Sequence, residues 1–244
     1  MIPKIIHYCW FGGNEKPDDV KLCIKSWKEY LPDYTIIEWN ESNINILDQN
    51  QYVREAYECK KWAFVSDYVR LKVLYEFGGI YFDTDVEVFK SFDSLIENTC
   101  FFGFESKDYL STAVIACEKN NFIIYDFLKY YENRKFIKDD GKLDMTTNVT
   151  IFTKILIKHG LKRNGKKQII SDSIVVYPQY FFSSNDFINI FGFYRKDIYA
   201  YHHCAASWYD KIQRKNKISL VKHYLIGMLR NIIGTDFLKQ LKKE

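Results

Sequence analysis

The 244-residue chain is short of several features that would fix its class directly. Its six cysteines (9, 23, 59, 100, 117 and 204) are scattered with no C-x-x-C pair, so no thiolate metal site is written into the spacing. No apolar run approaches the ~18 residues of a membrane-spanning helix. The opening IPKIIHYCWF is too short, and too polar at its flanks, for a secretory leader. Together these absences predict free thiols and a reducing, cytoplasmic setting. The chain also lacks a G-x-x-x-x-G-K-[ST] phosphate loop. FGGNEKPDD offers glycines and Lys16 without that spacing, which argues against a metal-dependent phosphoryl-transfer enzyme. No internal repeat and no low-complexity linker divides the sequence.

What is present is a globular composition, 47% apolar, with an aromatic fraction of 18% that suits both a core and a sugar- or base-binding surface. The net charge of +4 is too small to argue for nucleic acid, but it is unevenly placed. Residues 211–244 hold nine Lys or Arg against Asp236 and Glu244, leaving the rest of the chain slightly acidic. Within that tail, Ile218, Val221, Leu225, Met228, Leu229 and Ile232 form an apolar stripe beside Lys222 and Arg230. This pattern predicts an amphipathic helix that docks on the domain, pairs with another chain or lies on an anionic membrane face. The simplest division is one domain over 1–210 and a basic helical appendage over 211–244.

Along the chain, KIIHYCW reads as a first strand and DDVKLCIKSWKEYL as a helix closed by Pro32. YTIIEWN is a second strand, so the order is that of a βαβ unit. A polar stretch follows, then KKWAFVSDYVRLKVLYEF reads as a long helix with Gly78 as a left-handed cap. IYF begins a strand and VEVF continues it. CFFGFE is a further strand candidate, and STAVIACEKN is ambiguous between strand and loop. NFIIYDFLKYYEN and NVTIFTKILIKHG read as helices, KKQIISDSIVVYPQYFF as one or two strands, and DIYAYHHCAASW as a late strand followed by a loop.

The informative spot is YFDTDVEVF, where Asp83 and Asp85 end an apolar run. On an extended strand they share one face, with Cα atoms roughly 7 Å apart. Placing two anions together is costly unless something positive faces them. Three explanations remain open from these residues alone: a solvated strand end, a divalent-cation site with oxygen ligands, or a glycosidase acid pair. The last fits least, because such a pair needs two different environments. Upstream, Ser66, Asp67 and Arg70 lie on one helix face. They read either as a surface i, i+3 ion pair or as part of a site.

The run S-D-x-x-R-x-x-x-L-x-x-x-G-G-x-Y-x-D-x-D, standing here as Ser66, Asp67, Arg70, Leu74, Gly78, Gly79, Tyr81, Asp83 and Asp85, resembles the sugar-binding-region glycosyltransferases that contain a D-x-D motif. That family includes yeast initiating mannosyltransferases and bacterial capsular and lipopolysaccharide transferases, with a distant likeness to clostridial glucosylating toxins. IPKIIHYCWFGG is similar to the family's first strand, and HHCAASW to its late His…Ser-Trp segment; between 100 and 195 the likeness is thin.

The resemblance implies an α/β fold of the GT-A type: Rossmann-like, with a mixed, mainly parallel sheet flanked by helices. It implies a retaining transfer from a nucleotide-diphosphate sugar, UDP preferred over GDP, to a bacterial surface polysaccharide or lipid-linked oligosaccharide, aided by Mn2+ or Mg2+. Asp67, Arg70, Asp83 and Asp85 would be catalytic. Asp85, Asp83 and either His202 or His203 would hold the metal, and Trp10, Ser66, Asn148, Ser207 and Trp208 would contact the nucleotide sugar. Asn148 stands where relatives carry a Thr-Gly-Pro-like turn. No residue stands out as a dedicated nucleophile or general base. The protein would work in the cytoplasm or on the inner face of the plasma membrane, its tail against anionic lipid. A non-catalytic nucleotide-sugar or glycan binder of the same fold is the alternative.

Overall fold

The computed structural model describes residues 1–171, 173–183 and 197–204. The tail over 211–244 and the Ser207–Trp208 pair therefore lie outside the described residues. A seven-stranded sheet organises the rest, in the order β2-β1-β3-β6-β5-β8-β7. The first βαβ unit is β1 (Ile5–Cys9), α1 (Asp18–Tyr30) and β2 (Thr35–Trp39), with β1 parallel to both β2 and β3 (Gly79–Phe82). β5 (Cys100–Phe104) and β8 (Ile174–Tyr177) are parallel to each other, while β6 (Leu110–Cys117) and β7 (Gln168–Ile170) run against their neighbours. The segment STAVIACEKN, ambiguous as sequence, is thus the central strand β6. It is buried along its whole length, which removes the alternation that marks a half-buried strand.

Helices cover the sheet. α1 packs by Val20, Cys23 and Trp27. α2 (Gln51–Glu58), hidden in a stretch that reads as polar, buries Tyr52, Val53 and Ala56 and is capped by the Asn50 side chain. α3 (Trp62–Phe77) is buried on several sides, from Phe64 to Leu74, and so shows no amphipathic stripe. α4 (Phe122–Tyr131) and α5 (Asn148–Lys158) complete the set.

Two local expectations are corrected. Gly78 takes φ 68° but ψ −171°, so it leaves the helix in an extended, glycine-only conformation, not as a left-handed cap. A Cβ there would meet Lys119 N at 2.7 Å, and one on Gly79 would meet Ile5 O at 2.6 Å. The pair is needed because the chain must turn hard against β1 and β6. Secondly, β3 stops at Phe82 and does not continue through the aspartates. Val86 N–H donates to Asp83 O at 3.0 Å, closing a tight turn over Asp83–Val86. β4 (Val86–Val88) then pairs antiparallel with β9 (Ala200–His202) as a separate two-stranded ribbon. Trp27 Nε1 donates to Val86 O at 2.7 Å and Ser26 Oγ accepts from Val88 N at 2.9 Å, so α1 holds the ribbon.

Buried His7 ties β1 to the glycine turn that leads into β3. Trp39 Nε1 donates to His7 Nδ1 at 3.1 Å, which leaves Nε2–H to donate to Gly78 O at 2.8 Å. The ring is therefore neutral, and burial lowers its pKa to about 4. The folded value lies below the unfolded one, so the stability His7 confers is complete above about pH 6.5 and is lost as pH falls towards 4. The loss attributable to His7 should reach about 3 kcal/mol below pH 4. Urea titrations across this range should show that loss as a difference between wild type and His7→Gln; parallel profiles would contradict it.

Candidate active site

The site gathers at the end of β3, where the parallel register with β1 also brings Trp10. Its floor is Arg70 on α3. Arg70 is 4% exposed, and all three of its nitrogens contact groups of the protein. Nε donates to Ser66 O at 3.2 Å and Nη1 to Thr112 O at 2.7 Å. Nη2 meets Asp67 Oδ1 at 3.0 Å and Nη1 meets Asp83 Oδ1 at 3.1 Å. The Tyr81 ring lies beneath, its centroid 4.6 Å from Cζ. Burial opposes Arg70's charge, but Asp83, Tyr81 and Asp67 more than offset it and raise its pKa. The pair that could have been a surface i, i+3 bridge is a buried one.

A register shift in the β5–β6 pairing between Phe102 and Phe104 leaves Thr112 without a β5 partner, while Ala113 extends the β3–β6 pairing. Thr112 O turns to Arg70 and Ala113 O accepts from Asp83 N–H at 2.9 Å. Asn148, the first residue of α5, closes the network: its Nδ2 donates to Asp67 Oδ1 at 2.6 Å, and its Oδ1 accepts from Thr112 Oγ1 at 2.9 Å. Burial lifts the Asp67 carboxyl to about 6 against the pull of Arg70.

Above this floor, ligand atoms of Asp83, Asp85 and His202 all lie within 4.8 Å of one another. The carboxylates converge through the turn and the β4–β9 pairing, not through two-residue periodicity on a strand. His202 Nε2 is 3.3 Å from Asp85 Oδ1. Burial opposes the imidazolium, but the Asp85 carboxylate facing it, with Cys204 beside it, raises His202's pKa well above its usual range. His203 points elsewhere: its Nε2 lies 3.0 Å from Glu87 Oε2 on the exposed side of the ribbon. The donor set of two carboxylates and one imidazole fits a divalent ion, and the nitrogen suits Mn2+ better than Mg2+.

Of the remaining sequence candidates, Trp10 is half-buried, with Nε1 donating to Asn14 O at 2.7 Å and Lys16 Nζ 5.8 Å from its ring centroid. Ser66 Oγ donates to Trp62 O at 3.0 Å. Glu105, beyond the end of β5, was not singled out from the sequence. CFFGFE nonetheless carries the same signal as YFDTD, a carboxylate ending a buried apolar run.

Comparison with known proteins gives this geometry a class. Residues 17–102 match the model of a family described as the glycosyltransferase sugar-binding region containing a DXD motif. The matched stretch takes in Asp67, Arg70, Asp83 and Asp85 and leaves out Trp10, Asn148 and His202. It is 28% identical over 123 residues to inositol phosphoceramide mannosyltransferase 3 of Schizosaccharomyces pombe, covering 49% of this chain and 34% of the relative. It is 24% identical over 173 residues to subversion of eukaryotic traffic protein A of Legionella pneumophila, covering 57% of this chain and 26% of that protein. The chain thus spans about a third or less of the length of these curated relatives. Among solved structures, the PaToxG glycosyltransferase aligns with a TM-score of 0.50 at 25% identity, over 64% of this chain and 69% of that one. The fold is of the GT-A class. Among the described residues, no helix is long and apolar enough to cross a membrane.

Arg70 uses a planar fork that an ammonium cannot reproduce. Arg70→Lys should leave Asp67 or Asp83 without its partner and cost about 3 kcal/mol, near the range for breaking a buried pair. Urea denaturation measures this; a loss below about 1 kcal/mol, the range of an exposed pair, would contradict the account.

Proposed function

We propose that the protein is a metal-dependent, retaining glycosyltransferase that moves a sugar from a nucleotide-diphosphate donor, UDP-linked by preference, to a bacterial surface polysaccharide or lipid-linked oligosaccharide. The observation that carries this reading is the convergence of Asp83, Asp85 and His202 over the buried Arg70–Asp67–Asn148 network, inside and beside the matched sugar-binding region. Open α/β sheets bind ligands beyond the carboxyl ends of their strands, where this cluster sits.

In this reading Asp83, Asp85 and His202 would hold Mn2+, which would supply Lewis-acid stabilisation of the departing diphosphate. Trp10 stacks on the base at the end of β1, and Ser66 lines the donor side. Asp67 offers carboxylate oxygen to donor-sugar hydroxyls, kept in place by Arg70 and Asn148. Arg70 is a positioning residue: its fork is occupied by protein groups, and it fixes where the two aspartates point. In the transfer, the bond from the anomeric carbon to the diphosphate oxygen breaks and a bond to the acceptor hydroxyl oxygen forms on the same face. The hydroxyl proton passes to the departing phosphate, so the products are the glycoside and the nucleoside diphosphate. The name of the yeast relative favours one variant of this reading, a mannosyl donor and a lipid-headgroup acceptor, which would call for GDP.

Melting temperatures with UDP or GDP, each with and without Mn2+, test the donor site. A nucleotide at 100 times its Kd should stabilise the folded state by about 2.7 kcal/mol. The rise should require the nucleotide and Mn2+ together and vanish in Asp85→Ala. A flat response to both nucleotides in folded wild type would overturn the reading. A donor-site response without sugar release from any UDP- or GDP-sugar would favour the non-catalytic binder.

A further inference from the structure

Glu105 follows the last residue of β5 and is missing from every motif that points to the site. Positions 101, 103 and 105 alternate onto one face of that strand. Phe101 stacks on Phe182 with centroids 5.5 Å apart, and a Cβ on Gly103 would meet Phe182 Cδ2 at 2.6 Å. Phe182 belongs to the cluster of Val86, Val88, Tyr199 and Ala200 on which the β4–β9 ribbon lies. Glu105 thus continues from the face on which the β4–β9 ribbon lies, within reach of His202 and Asp83, whereas Phe102 and Phe104 turn to the opposite core. The backbone fixes the position: Glu105 N–H donates to Tyr109 O at 2.8 Å and closes the turn into β6.

The side chain is only partly exposed. Among the described residues no Lys or Arg is paired with it, although Asp83 has Arg70 and exposed Asp108 has Arg163. The charges that reach Glu105 are those of His202 and Asp83, and burial raises its carboxyl above the usual range. Glu105 is not among the groups whose ligand atoms lie within 4.8 Å of one another, so it stands outside the inner ligand set.

We propose that Glu105 is a positioning residue for the divalent cation, holding a water on the ion by a hydrogen bond to its carboxylate. The inference rests on the donor-site reading above. Outer-sphere groups of this kind are worth about 10- to 100-fold in metal affinity. The effect is separable from folding, because Glu105→Gln keeps the shape and removes the charge.

The test is titration of Mn2+ alone into the full chain, by calorimetry or by the paramagnetic resonance of free Mn2+. The variants are Glu105→Gln, Glu105→Asp, Asp85→Ala and Asp108→Asn, with metal-free melting temperatures measured in parallel. Glu105→Gln should weaken Mn2+ binding about tenfold without changing the metal-free melting temperature. Glu105→Asp should recover part of the affinity, and Asp108→Asn, a charge removed from the same turn, should leave it unchanged. If Asp85→Ala abolishes binding while Glu105→Gln stays within about twofold of wild type, short of the outer-sphere range, the inference is overturned and the donor site stands. If wild type binds no Mn2+, both are overturned.

Discussion

A guanidinium cannot be buried without a partner for each face of its fork, and that constraint organises the site. The effective penalty for taking such an ion out of water is several kcal/mol. Here it is met from separate parts of the chain: Ser66 O and Asp67 from α3, Asp83 from the end of β3, Thr112 O from β6, and the Tyr81 ring beneath. Asn148 extends the tie to α5. Elements far apart in sequence are thereby fixed at one point. The aspartate turn that follows β3 is the exposed end of that buried assembly.

This arrangement explains why rigidity and exposure coexist at the end of β3. Up to Phe82 the strand is fully buried, and beyond it the Asp83–Val86 turn is pinned by Ala113 O and Trp27, with Ser26 holding Val88 just after it. The glycine pair Gly78–Gly79 lets β3 start hard against β1, and neutral His7 holds the turn from the other side. A site that must present two carboxylates at one place benefits from this support, since the cluster's own like charges push it apart.

Much of this was legible in the sequence. The βαβ opening, the long α3 and the S-D-x-x-R…D-x-D run lie in local patterns that periodicity and spacing report. What escaped has physical reasons. α2 is short, and its three buried positions sit among charges, so its stripe is thin. β6 is central and buried throughout, which erases alternation. The aspartates were placed on one strand face by the period of two, whereas a turn and a cross-sheet pairing bring them together. Only that pairing distinguishes His202 from His203, because adjacent strand residues face opposite ways and sequence does not say which faces in. Asn148 was named as a candidate, but its bond to Asp67 depends on a helix start that meets α3 in space. Glu105 shows the reverse: its signal was present, but a single glutamate ending a strand carries too little information until its neighbours are known.

The central claim is that Asp83, Asp85 and His202 form one cation site held in place by buried Arg70. Anomalous diffraction at the manganese edge from crystals of the full chain grown with Mn2+ and UDP tests it directly. The account predicts a single peak within bonding distance of carboxylate oxygens of Asp83 or Asp85 and of His202 Nε2, with Arg70 still bonded to Asp67 and Asp83. Bound UDP with no peak at these residues, or a peak ligated by His203 and Glu87 instead, would contradict it.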